Sequence, residues 1–168
     1  VAAMNPCPCG NYGSRITPCR CTAQQIQRYR NRISGPMLDR IDIHVEMGEV
    51  GYNDIAGRSC GEPSSAIRAR VNAARAIQTR RYAGMGILFN AQLTNRMMNQ
   101  YCVLTSDAEA LMKKAFAALK LSARAYTRLL KVSRTIADLA GSEQIKAEHI
   151  AEAIQYRSLE SKYWGEIK

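Results

Sequence analysis

The stretch Ser34–Met47, SGPMLDRIDIHVEM, constrains the fold more than any other part of this 168-residue chain. Ile41, Ile43, Val45 and Met47 alternate with Asp42, His44 and Glu46, the period-2 pattern of a half-buried strand. Ahead of it, Ser34-Gly35-Pro36 is turn chemistry, and Met37-Leu38 is an apolar step that anchors the turn. Arg40 is therefore the last residue before a buried strand, on the rim of a sheet. A guanidinium there either aims a fixed cation at an anion or pairs with Asp39 or Asp42. On spacing alone the ion pair is the commoner outcome.

Two tight cysteine pairs lie upstream, Cys7-Pro8-Cys9 and Cys19-Arg20-Cys21, separated by nine residues that include Gly10, Gly13 and Pro18. Two such pairs joined by a turn-rich loop place four sulfurs at tetrahedral corners, the arrangement of a closed structural zinc site. The usual zinc spacing puts two or more residues between paired cysteines, so CxC departs from it, and reduced or redox-active thiols are the alternative. A disulfide inside a CxC pair would close a strained small ring. Four thiolates leave no open coordination position, so the expected role is structural. Cys60 and Cys102 lie far from the cluster and read as ordinary.

The net charge is +10, and the excess is arginine. Arg15, Arg20, Arg28, Arg30, Arg32 and Arg40 face Asp39 alone in residues 15–40, and Arg68, Arg70, Arg75, Arg80 and Arg81 run without an acid in residues 64–82. That balance suits a phosphate-bearing partner, nucleotide or nucleic acid, although solvated helix faces account for many such runs. No apolar run approaches a membrane span and no secretory signal is visible, so a cytoplasmic protein with no membrane partner is expected. The opening Val1-Ala2-Ala3-Met4-Asn5 reads as the tail of a strand, and the chain as a fragment of something longer.

Thr22-Ala23-Gln24-Gln25 has the form of a capping box and predicts a helix to about Ile33, with Ile26, Tyr29 and Ile33 on one face. Residues 48–63, rich in glycine and ending near Pro63, read as a linker between domains at 1–47 and 64–168. Beyond it the chain is helical. Ser64 or Ser65 caps a helix to about Tyr82 with Ile67, Val71 and Ala74 in its apolar stripe, and Gly84-Met85-Gly86 breaks it. A short helix follows at Thr94–Tyr101. Ser106-Asp107-Ala108-Glu109 is a second capping box, opening a helix with Leu111, Ala115 and Leu119 inward. Ser122 caps the next, with Tyr126, Leu129, Leu130, Ile136 and Leu139 inside and Gly141 at its end. The last runs from about Ala147 to Arg157, extending toward Trp164. His44 and His149 have no partner at a catalytic or metal spacing and read as structural.

VAAMNPCPCG, CRCTAQQIQRYRNRISGPMLDRIDIHVEM and LSARAYTRLLKVSRTIADLAG together resemble the magnesium-chelatase-related AAA+ ATPases of the ComM/YifB type. The resemblance covers nearly the whole chain; it weakens in residues 48–63 and after Ile154. It implies a mostly α fold: a C-terminal remnant of an AAA+ α/β core, with one or two strands and a cysteine-rich knuckle, followed by an α-helical lid. By position, Asn5 matches the sensor that orients the attacking water, Arg40 the arginine finger given in trans to a neighbour's ATP, and Arg124 the lid sensor. Arg128, one turn on, is a rival for contact with the nucleotide, and Arg134 a weaker one. With the resemblance, the finger becomes the favoured reading of Arg40. Phosphoryl transfer is mostly positioning and charge neutralisation, which an amide and guanidinium groups supply. The implied cofactors are ATP with Mg²⁺, beside a structural Zn²⁺; the implied partners are identical subunits in a hexameric ring, and DNA. The chain carries no GxxxxGK[ST] string and no acidic pair ending an apolar strand, so by itself it is not expected to hydrolyse ATP. Two alternatives stand beside a DNA-remodelling, branch-migration motor. One is a chelatase subunit inserting Mg²⁺ into a porphyrin; the other is a zinc-dependent nucleic-acid-binding module.

Overall fold

The computed structural model describes residues 1–52, 56, 57 and 61–157. It divides into two compact units, one formed by residues 1–55 together with the segment from Arg157 onward, the other by residues 56–156. The described residues are mostly helical.

In the first unit, α1 spans Ala23–Arg30. Its start is the predicted box: Thr22 Oγ1 accepts from the Gln25 N–H at 3.2 Å, and Gln25 Oε1 accepts from the Thr22 N–H at 2.9 Å. Two orphan donors are thereby satisfied at once. The helix stops at Arg30, not at Ile33, and its buried side chains are Ile26 and Arg30. Ser34 then begins a single helical turn, α2, at Gly35–Leu38, with Pro36 in its first turn and Leu38 buried.

The expected strands are corrected here. Residues 41–47 carry the strand pattern but form no strand among the described residues, and residues 1–5 are likewise irregular. Alternation makes a strand only where a neighbouring backbone completes the ladder. Ile43, Val45 and Met47 are accordingly exposed, while His44 between them is half-buried.

The second unit is a helical bundle. Helix α3 spans Ser64–Arg81, a 3₁₀ turn Asn90–Gln92, α4 Asn95–Tyr101, α5 Ser106–Ala118, α6 Ala123–Leu139 and α7 Ala147–Gln155. Helix α6 packs against α3, α7 and the 3₁₀ turn, and α5 packs against α7. Side chains of Thr94, Thr105 and Ser122 each accept the N–H two or three residues into their helix. Thr105, one residue earlier than expected, caps α5. A parallel bridge between Leu104 and Ile145 ties together the entrances to α5 and α7. Gly141, at φ 66°, ends the turn after α6 in the left-handed conformation that only glycine adopts without strain.

The core gathers Tyr82, Leu93, Met98, Ala108, Met112, Leu129, Leu130, Ala137, Ile145 and Ile150. Three inward assignments fail. Ile67 and Val71 are exposed, because α3 buries only its C-terminal half through Ala74 and Gln78. Leu139 is half exposed, because Asp138 and not Leu139 faces inward at the end of α6. Helix α7 ends at Gln155, and any extension toward Trp164 lies outside the described residues.

Candidate metal centre and arginine-bearing turn

The four cysteines meet. Cys7 Sγ lies 3.4 Å from Cys9 Sγ and 3.7 Å from Cys19 Sγ; Cys9 and Cys19 are 3.5 Å apart, and all four sulfurs lie within 4.8 Å of one another. A tetrahedral zinc with bonds near 2.3 Å needs sulfur–sulfur edges of about 3.8 Å. The local chain explains the convergence. The Gly10 N–H bonds back to the Cys7 carbonyl at 3.0 Å, a tight turn closed by Gly10 at φ 84°. Ser14 Oγ accepts from the Ile16 and Thr17 N–H groups at 3.1 and 2.8 Å, turning the connecting loop back toward Cys19. The backbone N–H groups of Asn11 and then Arg20 hold the Cys9 thiol down to about 6, whereas burial pushes Cys21 up to about 12. The donor set is soft and closed, which fits a structural metal.

Arg30 fastens this loop from α1. Its guanidinium is buried, donates from Nε to the Pro6 carbonyl at 3.3 Å and stacks over Tyr12 at 4.5 Å from the ring centre. Pro6 follows Asn5. Asn5 itself is exposed, with its amide beside the Cα of Gly10; a Cβ there would stand 3.7 Å from Asn5 Nδ2.

Arg40 is exposed at the end of α2. On one side of it the Asp39 carboxylate takes Arg157 Nη2 at 3.3 Å; on the other the Ile41 carbonyl accepts Arg157 Nη1 at 3.4 Å. The Arg157 side chain is 2% exposed.

In the second unit Arg124 is exposed in the first turn of α6 and Arg128 is half-buried one turn later. Arg134 is fully buried. It bonds Asp138 at 3.1 Å and the carbonyls of Ser142 and Glu143 at 2.5 and 2.7 Å, which makes it a strut closing the turn after α6. Asp138 also accepts from Arg81, from Asn90 Nδ2 at 2.9 Å and from Gln78 Nε2 at 3.2 Å. Burial pushes the Asp138 carboxyl up, but bonds from Arg81 and Asn90 and the charge of Arg134 outweigh it and hold its pKa below the ordinary value. His149 Nδ1 accepts the Lys146 N–H at 3.0 Å, and burial keeps this imidazole's pKa low.

Residues 1–55 match the family model described as magnesium chelatase, subunit ChlI, and residues 61–157 match that described as magnesium chelatase, subunit ChlI C-terminal. The chain belongs to the magnesium chelatase ChlI family. It is 44% identical over 160 residues to "Competence protein ComM" of Haemophilus influenzae, covering 95% of this chain and 30% of that protein. It is 41% identical over 161 residues to "Uncharacterized protein YifB" of Salmonella typhimurium, covering 95% and 31%. The chain thus spans about a third of the length of the relatives it matches. Among the described residues no helix is long and apolar enough to cross a membrane.

Within this ChlI-family chain, Asn5, the cysteines and Arg40 belong to one unit, Arg124 and Arg128 to the other. Only the cysteines are drawn into a cluster by the fold. Three structural side chains escaped the reading of the sequence: Arg30, Arg157 and Asp138. Arg30 is the one with a readable signal, since it lies four residues after Ile26 on the buried face of α1. The partners of Arg157 and most of those of Asp138 lie far away in the chain, and no local pattern announces them.

Proposed function

We propose that this chain supplies sensor and arginine-finger residues to a ring-forming AAA+ ATPase whose hydrolysis of Mg·ATP drives remodelling of DNA, of the branch-migration kind. The observation that carries the reading is the turn at residues 34–41. Leu38 is buried on one side of Arg40, Arg157 grips both flanking residues, and Arg40 is exposed at the end of the turn. A forked cation on a braced backbone suits stabilisation of charge spreading over a neighbouring subunit's γ-phosphate. Asn5 orients the attacking water, and Arg124, with Arg128 beside it, contacts the nucleotide from the lid. Arg134, spent on Asp138 and two carbonyls, drops out of that role. Cys7, Cys9, Cys19 and Cys21 hold one Zn²⁺ as a structural rivet next to Asn5.

A DNA partner is supported by the arginine excess and by α1. Gln24, Gln27, Arg28, Asn31 and Arg32 surround an open depression with amide and guanidinium donors and no carboxylate. Donors of this kind contact phosphate and base edges. Membership of a family described as magnesium chelatase favours a second reading, a chelatase subunit that drives porphyrin metallation. ATPase stimulation of the full-length protein by DNA, as against chelatase partner subunits, separates the two.

The test of the finger is Arg40→Ala in the full-length protein. Nucleotide binding stays near parental, and hydrolysis falls on the order of 10³-fold or more. Mixing these subunits with subunits lacking a working phosphate loop restores part of the activity, because a finger mutant still binds ATP and borrows its neighbour's Arg40. No restoration, or a protein that melts on losing Arg40, defeats the assignment.

A further inference from the structure

We infer that Arg157 is a positioning residue for Arg40: its buried guanidinium fixes the direction in which the finger leaves the fold. The inference rests on the reading of Arg40 as a finger acting in trans.

The turn explains why such a brace is required. The N–H groups of Asp39, Arg40 and Ile41 bond back to the carbonyls of Gly35, Met37 and Leu38 at 2.9, 3.1 and 3.0 Å, so α2 holds the chain up to Arg40 from its amide side. Past Ile41 no helix continues and no described strand pairs with the chain. The carbonyl of Ile41 is therefore where the regular hydrogen bonding ends, and Arg157 Nη1 meets it at 3.4 Å. The other arm of the same planar group reaches Asp39 Oδ1 at 3.3 Å. One rigid fork thus spans the residue before Arg40 and the residue after it, and its side chain, 2% exposed, is shielded from water although Asp39 is 24% exposed.

A finger works through a long, flexible side chain, so its accuracy depends on where the Cα–Cβ bond points. A displacement of about 1 Å at a reacting centre costs up to about 10²-fold in rate. Lysine at 157 would keep the positive charge but, as a single ammonium on a flexible stem, would not hold both acceptors in one plane. The clamp is delivered from the far end of the chain, two residues after α7, so nothing in the sequence around Arg40 reveals it.

A double-mutant cycle in the full-length protein tests this, with Arg40→Ala, Arg157→Lys and the two combined. Arg157→Lys is expected to lower kcat by about 10- to 100-fold with KM for ATP near parental, and to cost less than about twofold more once Arg40 is alanine. An equal loss in both backgrounds would mean that Arg157 acts elsewhere; it overturns the inference and leaves the finger standing. Parental hydrolysis by Arg40→Ala removes the finger, and this inference with it. Should Arg157→Lys fail to assemble, Asp39→Asn loosens the same clamp from its half-buried end. A loss of about three- to tenfold that vanishes without Arg40 supports the brace, and parental kcat refutes it.

Discussion

The two units reach order by opposite means. In residues 56–156 a contiguous set of apolar side chains from four helices and the segments joining them excludes water, and one buried polar hub sits beside it. In residues 1–55 the buried apolar side chains described are Cys7, Ile26 and Leu38, while Val1, Met4, Ile16, Ile43, Val45 and Met47 are exposed. What shapes this unit is a set of point fasteners: four sulfurs, the Arg30 contact to Pro6 and Tyr12, and the Arg157 fork. The difference is instructive. A core distributes its stabilisation over many contacts and tolerates the loss of one, whereas fasteners concentrate it and fail one at a time.

Removal of metal should break the comparison most visibly. Protein purified without added metal is expected to carry about one zinc per chain. Chelation, or Cys7→Ser, should leave the amides of residues 7–21 nearly unprotected against hydrogen exchange, with those of α5–α7 unchanged. Protein free of zinc with four freely titrating thiols would dismiss the site. Equal loosening of both units would dismiss the contrast.

Next in size is the hub. Asp138→Ala leaves Arg81 and the fully buried Arg134 without their carboxylate, and should cost about 3–5 kcal/mol in denaturant unfolding of the helical unit. Acid acts on the same group. Its folded pKa is held below the ordinary value, so its contribution is complete above the unfolded pKa of about 3.9 and disappears as pH falls through the lowered one. A parental midpoint for Asp138→Ala would show the hub to be dispensable.

The smallest effect belongs to a helix cap. Ser122→Ala removes the acceptor that holds the Ala125 N–H at 3.1 Å, and should lower stability by about 1 kcal/mol. Because many other contacts hold α6, its exchange protection should decline by that amount and no more. Melting of α6 alone would contradict a shared core.

Much of the helical unit was legible because its signals are local. The cap at Ser122 and the glycine at 141 act within a few residues and bound a helix that is present, as the Thr22 box does for α1 in the other unit. Which turn of a helix faces inward was less so. Leu139 looked like core by period, yet the inward position at the end of α6 went to Asp138, whose partners Gln78, Arg81 and Asn90 lie on α3 and the 3₁₀ turn. A side chain with three polar partners is as well buried as an apolar one, and periodicity does not register the exchange.

At residues 34–47 the sequence by itself determined the alternation, the turn and the place of Arg40 at its end. It also determined the two cysteine pairs. Only the tertiary structure decided that the four sulfurs converge, that Arg30 closes over their loop, that no described backbone completes the strand, and that Arg157 braces the turn from 118 residues away from Asp39. The physical reason is the range of the interactions. Caps, turns and face periodicity are set by neighbours within about one helical turn, whereas ladders, metal clusters and buried ion pairs need groups that chain closure alone brings together.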